Sequence, residues 1–174
     1  MKLDFEAFYV VAFDVFGTLL DMSGVDREEM KAYGQHIRQP KWSPLTLPSS
    51  WLDQPFFSDV ADGLKELRRI GLLVVTCSNA PVSFQRELFS RHPEIEVHDI
   101  ISLEEHEVFK PRGEAYLAIC EQLEVDAEHV LMVTANEHFG DLEGARSVGM
   151  QSILIRGKEC PTVMDLAKMF GGEE

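Results

Sequence analysis

The stretch Val-Val-Ala-Phe-Asp-Val-Phe-Gly-Thr-Leu, residues 10–19, decides the fold of this chain. Its first four residues are apolar, which is typical of a short buried β-strand, and Asp14 follows directly. In an open α/β sheet the ligand lies beyond the carboxyl ends of the strands, so this carboxylate is predicted at a ligand site. Asp, Gly and Thr are also ordinary turn formers, and a purely structural turn is the alternative interpretation.

Strand-like and helix-like segments alternate along the rest of the chain, with short connections between them. This alternation predicts the α/β class, with a Rossmann-like doubly wound parallel sheet and right-handed crossovers. Strands are predicted at 72–77, 97–102, 130–134 and 152–155, and helices at 58–70, 82–91, 113–123, 142–148 and 162–170.

Residues 22–55 interrupt this alternation. The segment 26–33 has the composition of a helix start, and Pro40, Pro44, Pro48 and Pro55 then break the chain repeatedly. We expect a small inserted helical cap at 22–55, and a core domain formed by residues 1–21 and 56–174.

The composition limits the classes of partner. The chain has 174 residues, of which 45% are hydrophobic and 26% charged, and this suits one domain with a substantial core. A formal net charge of −14 argues against nucleic acid and anionic membrane surfaces as partners. An anionic substrate would therefore need positive charge held locally.

Cysteine usage and the N-terminus bear on the compartment. Cys77, Cys120 and Cys160 are an odd number without metal-ligand spacing, and we expect reduced cysteines, mostly in the core. The first residues are acidic and include no long apolar run, so no signal peptide or membrane span is expected. These features predict a cytoplasmic protein.

Two further segments place polar groups at the ends of predicted strands. Ser78 follows an apolar strand and precedes Asn-Ala-Pro, so its hydroxyl is expected at a helix N-terminus, where anions bind readily. Lys110 lies between a predicted strand and helix, and Pro111 follows where helices often begin. A plain N-cap and an ordinary surface lysine are the alternative interpretations.

Together with residues 135–145, these segments resemble, in order, the motifs of the haloacid dehalogenase-like superfamily. Its phosphatases carry Asp-x-Asp-x-Thr where this chain has Asp14 to Thr18. The resemblance implies that Asp14 is a nucleophile that forms a covalent aspartyl ester and that Thr18 orients its carboxylate. It also implies that Ser78 binds the anionic group of the substrate and that Lys110 neutralises charge beside the nucleophile.

The chain departs from the phosphatase pattern at two positions. Phe16 replaces the second Asp of the first motif, which is the general acid/base of the phosphatases. Asn136 replaces the first of two acids that bind magnesium in the fourth motif, while Asp141 keeps the second. Because Mg²⁺ prefers charged oxygen ligands, Asp14 and Asp141 are only weak candidate ligands.

The same positions are similar to those of 2-haloacid dehalogenases, which need no metal. These enzymes have Asn where this chain has Asn136, and a Lys-Pro-x-x-x-x-Tyr spacing as from Lys110 to Tyr116. A cap Arg receives the halide in those enzymes, and Arg38 is its expected counterpart. The resemblance implies catalytic roles for Asp14, Thr18, Ser78, Lys110, Asn136 and Asp141, and substrate contacts for Phe16, Arg38, Asn79 and Tyr116.

Leaving-group chemistry decides between the possible activities. An alkoxide leaving from a phosphate ester needs a proton, and a general acid contributes about 100- to 10,000-fold, which Phe16 cannot supply. A halide leaves without a proton or a metal. We therefore predict a dehalogenase-type hydrolase with no required cofactor and a small anionic organic substrate. A Mg²⁺-dependent phosphohydrolase and a non-enzymatic binding module are the alternatives.

Overall fold

The computed structural model of the protein describes residue 3 and residues 5–171. Five parallel strands form a single sheet in the order β3-β2-β1-β4-β5. The first strand lies at the centre, and its neighbours on either side come from distant parts of the chain. The strands are β1 (Val10–Phe13), β2 (Leu73–Thr76), β3 (Asp99–Ile100), β4 (Val130–Thr134) and β5 (Gln151–Leu154).

Helices cover both faces of the sheet, and this confirms the predicted doubly wound α/β fold. One face of the sheet packs against α2 and α6, and the opposite face packs against α4 and α5. The helices are α1 (Arg27–Ile37), α2 (Val60–Arg69), α3 (Val82–Arg91), α4 (Gly113–Leu123), α5 (Asp141–Ser147) and α6 (Val163–Gly171), and 3-10 turns span Phe5–Ala7, Ser49–Asp53 and Ala127–His129.

Strand β1 is central because side chains on both of its faces are apolar. Val11 and Phe13 point into the α2 and α6 layer, whereas Val10 and Ala12 point into the α4 and α5 layer. All four are at most 1% exposed. A strand buried on both faces reads as a continuous apolar run rather than an alternating one, as residues 10–13 do.

Close packing of α2 on α6 depends on Gly63. A Cβ atom at this position would lie 2.6 Å from the Cβ atom of Val163, which no relaxed structure allows. The absence of a side chain therefore lets the two helices approach and brings Leu64 and Leu67 of α2 into the core.

The predicted cap segment, residues 22–55, contains α1 and the 3-10 turn Ser49–Asp53. Asp26 is the N-cap residue of α1, and its carboxylate accepts hydrogen bonds from the backbone N–H groups of Glu28 and Glu29. Trp51 and Leu52 of the 3-10 turn are buried against α3 in a third apolar cluster. The segment thus packs against the carboxyl end of the sheet.

Several element boundaries differ from the sequence-based expectations. The strand predicted at 97–102 is only two residues long, and the helix predicted from 58 begins at Val60. The expected cap of α3 is wrong: Pro81 is the N-cap residue without a side-chain bond, and Glu104 accepts from the backbone N–H of Val82 instead. Glu104, which is distant in sequence, thus accepts the hydrogen bond from the helix N-terminus that Ser78 was expected to accept.

Two of the three cysteines are core residues, as predicted. Cys77 and Cys160 are buried, Cys120 is partly exposed, and all three are free thiols. Burial raises the pKa of Cys77 to about 12, so this thiol stays protonated near neutral pH. None of the helices described in residues 5–171 is both long and apolar enough to cross a membrane.

Candidate active site

Asp14 lies immediately after β1, at the carboxyl edge of the sheet. Its backbone N–H donates to the carbonyl oxygen of Val133 at 2.9 Å, which extends the pairing of β1 with β4 by one residue. Its side chain is buried but reaches a cavity. The hydroxyl of Thr18 donates to Oδ2 at 3.0 Å, and the ammonium of Lys110 donates to Oδ1 at 2.8 Å.

Lys110 joins Asp14 to a second carboxylate. Its Nζ also donates to Oδ2 of Asp141 at 2.9 Å, and both Lys110 and Asp141 are at most 2% exposed. The phenol of Tyr116 donates to the other oxygen of Asp141 at 2.8 Å. Lys110, Asp14 and Asp141 therefore form one connected network of three buried charges, with a net charge of −1.

The backbone around Lys110 is held by an amide side chain. Asn79 accepts from the backbone N–H of Lys110 at 2.7 Å and donates to its carbonyl oxygen at 3.2 Å. This two-way contact ties the loop after β2 to the loop before α4. Both loops lie at the carboxyl edge of the sheet. Asn79 therefore fixes the position from which the side chain of Lys110 reaches the site.

Burial and charge shift the two central pKa values. Burial raises the pKa of the Asp14 carboxyl above its ordinary value of 3.8, and attraction to Lys110 only partly opposes the rise. Burial also disfavours the charge on Lys110, but the carboxylates of Asp14 and Asp141 outweigh it and hold the pKa of Lys110 well above 10.5. The lysine therefore remains an ammonium ion.

Thr18 is held from two further sides. Its hydroxyl accepts from the backbone N–H of Ala135 at 2.9 Å, so the donation to Asp14 has a defined direction. Its carbonyl oxygen accepts from the guanidinium of Arg156 at 3.1 and 3.2 Å, and that guanidinium also donates to Asp59 at 2.6 Å. Arg156 was missed from the sequence because it follows β5, far from any recognised motif.

A cavity of about 60 Å³ opens beside Asp14. Apolar atoms make up most of its inner surface, and five of its nine lining residues carry carboxylate, ammonium or amide groups. The lining residues are Asp14, Phe16, Met30, Tyr33, Asn79, Lys110, Asn136, Phe139 and Asp141.

Three of these wall residues escaped the sequence analysis: Met30, Tyr33 and Phe139. Met30 and Tyr33 lie on one side of α1, three residues apart, and this helical spacing is the signal that indicates a shared face. Burial raises the pKa of Tyr33, and the neighbouring Asp14 carboxylate adds to the rise, so its hydroxyl stays neutral. Nothing local in the sequence indicates that Phe139 would face the cavity.

Phe16 forms a fixed wall. Its ring makes edge-to-face contacts with Tyr33 at 5.7 Å, Trp51 at 5.3 Å and Phe84 at 5.9 Å between centroids. The residue that replaces the phosphatase acid is therefore packed between α1, the 3-10 turn and α3.

Three further predicted site residues make contacts within the protein, and all three lie outside the cavity lining. The hydroxyl of Ser78 accepts from the backbone N–H of Ala80 at 3.2 Å, and Ser78 does not line the described cavity. Tyr116 also stays outside the cavity lining, because its hydroxyl is directed at Asp141. Arg38 is exposed, donates to the carbonyl oxygen of Gly34 at 3.2 Å, and lies over the ring of Phe139 at 5.5 Å.

An outer cleft of about 410 Å³ adjoins the cavity, because Phe16, Met30 and Asn136 line both spaces. Glu137 and His138 are exposed and line the outer cleft only. A larger depression of about 600 Å³ beside α2 contains none of the residues around Asp14. We therefore take the smaller cavity as the candidate site.

Metal ligands are sparse at this site. Within residues 5–171 the structure holds no group of three or more His, Cys, Asp or Glu side chains arranged to bind a metal. The two carboxylates that face the cavity are already bridged by Lys110. The third position of the phosphatase pattern is the neutral amide of Asn136.

A profile of haloacid dehalogenase-like hydrolases matches residues 49–149. The chain belongs to this hydrolase family. The match extends from the 3-10 turn Ser49–Asp53 to α5 and includes Lys110 and Asp141, whereas Asp14 lies upstream of it. No curated protein sequence is significantly similar to this chain.

Solved structures of this hydrolase family share the fold. The L-2-haloacid dehalogenase from Xanthobacter autotrophicus with chloropropionic acid covalently bound has a TM-score of 0.74 at 18% identity, covering 96% of this chain and 100% of that chain. The defluorinating L-2-haloacid dehalogenase Rha0230 also has a TM-score of 0.74 at 18% identity, with coverage of 95% and 96%. A hydrolase of the haloacid dehalogenase-like (HAD) superfamily from Ehrlichia chaffeensis has a TM-score of 0.69 at 15% identity, covering 94% of this chain and 96% of that chain.

Proposed function

We propose that this hydrolase is a metal-independent dehalogenase that acts on a small 2-haloacid through an aspartyl ester on Asp14. The observation that carries the proposal is the environment of this carboxylate. Both of its oxygens are held by hydrogen bonds, one from an ammonium and one from a hydroxyl, beside a small and largely apolar cavity. The substrate type named for the two similar dehalogenase structures is the same.

The reaction has two steps. In the first, a carboxylate oxygen of Asp14 forms a bond to C2 of the substrate, and the carbon–halogen bond breaks with its electron pair leaving on the halide. In the second, water attacks the carbonyl carbon of the aspartyl ester, which releases the 2-hydroxy acid and regenerates the carboxylate, and a proton passes to solvent. Covalent catalysis of this kind divides one difficult displacement into two easier ones.

The surrounding network suits this chemistry. Thr18 and Lys110 orient the Asp14 carboxylate, while Tyr116 and Asp141 position Lys110. Asn79 has a positioning role through the backbone of Lys110, and it also borders the space where substrate would lie. Ser78 belongs to the loop that carries Asn79, so we give it a structural role rather than a direct one.

The lining of the cavity favours a leaving group that needs no proton. Phe16 occupies the position of the phosphatase acid. His138 and Glu137 of the outer cleft are residue types that can serve as general acids, but they do not line the cavity beside Asp14. A missing general acid costs about 100- to 10,000-fold for an alkoxide. A halide is a weak base that leaves without a proton, so the absence of a general acid does not slow its departure.

The residues present do not fit Mg²⁺. Mg²⁺ keeps near-octahedral geometry and is usually held by one or two carboxylates together with several waters. Here Lys110 lies between Asp14 and Asp141 at hydrogen-bond distance from both, so their charge is already balanced in part by an ammonium. Asn136 adds no charge. A Mg²⁺-dependent phosphohydrolase is therefore the weaker interpretation.

We further propose that residues 22–55 act as a cap over the site and that Arg38 receives the departing halide. Met30 and Tyr33 of this segment line the cavity. The guanidinium of Arg38 lies over Phe139, another wall residue, at the exposed end of α1. It is thus a positive charge near the mouth of a net-negative site.

The test is halide release measured with chloroacetate and 2-chloropropionate in water labelled with ¹⁸O. We expect chloride release, and ¹⁸O in the peptide that contains Asp14 after multiple turnovers. Asp14→Asn should abolish both, whereas the matched surface change Asp53→Asn should leave both unchanged. Absence of chloride release with every haloacid tested would overturn the proposal, and unlabelled Asp14 with active turnover would overturn the ester intermediate.

A further inference from the structure

Tyr33 separates two cavities. Its side chain borders the cavity of about 60 Å³ beside Asp14 and also a second pocket of about 240 Å³ between α1 and the proline-rich segment that follows it. We propose that Tyr33 determines chain-length specificity, limiting productive substrates to haloacids of two or three carbons. The inference rests on the proposed function and names the substrate range of the same site.

The size of the catalytic cavity supports this limit. An apolar cavity of about 150 Å³ accommodates benzene, a ring of six carbon atoms. The cavity beside Asp14 is about 60 Å³, less than half of that volume. It suits the reacting end of a molecule with few heavy atoms and has no space for a longer alkyl chain.

The second pocket offers the burial that the first one lacks. Leu45, Leu47, Pro48 and Trp51 supply apolar surface there, and Glu29, His36 and Thr46 supply polar groups at its rim. An alkyl chain extended from C2 would find apolar contacts in this pocket. Among the described residues, Tyr33 is the one that lines both spaces, which places it as the partition between them.

The partition is held rigidly. The ring of Tyr33 makes edge contacts with Phe16 at 5.7 Å and with Trp51 at 5.6 Å between centroids. Trp51 is 1% exposed, and its indole N–H donates to Glu29 at 2.8 Å. Because its neighbours are fixed by packing and hydrogen bonding, Tyr33 has little freedom to rotate aside for a larger substrate.

The cavity has a second opening, but this opening does not offer an alkyl chain the burial that the pocket behind Tyr33 offers. It leads past Met30 and Asn136 into the outer cleft, whose further lining includes the exposed residues Glu137 and His138. Met30 has a flexible unbranched side chain, which suits the entrance for substrate. This cleft is open to solvent, so methylene groups that extend into it remain largely hydrated and add little to binding.

The test compares kcat/KM for chloroacetate, 2-chlorobutanoate and 2-chlorohexanoate. In the wild-type enzyme we expect kcat/KM to fall as the chain lengthens. Tyr33→Ala joins the two cavities, and each additional methylene buried in the second pocket should then raise kcat/KM by about fourfold. The ratio of hexanoate to acetate activity is the readout, since it is independent of the amount of active enzyme.

Tyr33→Phe is the matched control, because it keeps the ring and removes only the hydroxyl; its chain-length ratio should equal that of the wild type. Thermal unfolding verifies that Tyr33→Ala is folded, and Tyr33→Leu serves in its place if it is not. An unchanged ratio in the folded variant, or a wild-type kcat/KM for hexanoate that equals or exceeds that for acetate, would overturn the inference. Absence of chloride release from all three acids by the wild-type enzyme would instead refute the proposed function.

Discussion

The ammonium of Lys110 donates to the Asp14 carboxylate across 2.8 Å, joining two residues that are 96 positions apart in sequence. The same ammonium donates to Asp141, so one positive charge serves two buried carboxylates. This arrangement carries a net charge of −1 in a region that excludes most water. Both the reactivity of Asp14 and the stability of the fold depend on how that charge is balanced.

Replacing Lys110 by Met should destabilise the protein strongly. The variant leaves two buried carboxylates without their counter-ion, and breaking a buried ion pair in this way costs about 3–5 kcal/mol. Urea denaturation measures the change in the free energy of unfolding. The exposed Lys65→Met should change it by no more than about 0.5 kcal/mol. Equal effects of the two substitutions would show that the Lys110 network is not buried as described.

Asp14→Asn should stabilise the protein near neutral pH. The folded-state pKa of Asp14 is raised above 3.8, so ionisation of this group costs folding free energy at every pH above the folded-state pKa. The cost disappears as pH falls below 3.8, where Asp14 is protonated in both states. The stability difference between variant and wild type, measured by urea denaturation, should therefore be positive at neutral pH and shrink as pH is lowered. A difference that grows toward low pH would contradict the raised pKa.

Gly144→Ala should destabilise the protein and disturb the site. A Cβ atom there would overlap the carbonyl oxygen of Pro111 and lie 2.6 Å from the ring of Tyr116, which donates to Asp141. Such overpacking costs about 1–3 kcal/mol. Gly157→Ala is the matched control, because the nearest atom to its Cβ would be 3.8 Å away. Thermal unfolding measures the change in Tm of both variants. Equal changes would contradict the packing described for Gly144.

Magnesium should have no specific effect on this enzyme. A ligand that binds only the folded state raises the free energy of unfolding by RT ln(1 + L/Kd), where L is the free ligand concentration. Because Lys110 already bridges Asp14 and Asp141, we expect the same Tm in millimolar Mg²⁺ and in EDTA, and the same rate of halide release. A rise in Tm with Mg²⁺ concentration that is lost in Asp141→Asn would show a metal site there and favour phosphatase chemistry.

Much of the fold was predictable because its signals are local. The apolar run at residues 10–13 is a buried strand, and the helices at 82–91 and 113–123 have the expected bounds. Alternating strands and helices leave few ways to bury their apolar faces, so a parallel sheet covered on both sides follows. The same topology brings the ends of β1 and β4 together, and with them Asp14 and Asp141.

The walls of the site were not predictable, because they depend on how distant segments pack. Tyr33 and Met30 face the cavity only because α1 lies over the carboxyl end of the sheet, and Phe139 has no local signal at all. Ser78 illustrates the same limit, since its hydroxyl satisfies a neighbouring N–H while Glu104 caps the helix.

By itself, the sequence determined the order of the elements and the polar groups that follow each strand, since strand burial and helix periodicity are properties of neighbouring residues. The tertiary structure alone decided which side chains enclose Asp14 and how large the cavity beside it is. Close packing sets that volume, and it places side chains from α1, from the loop after β4 and from the loop after β2 around one carboxylate.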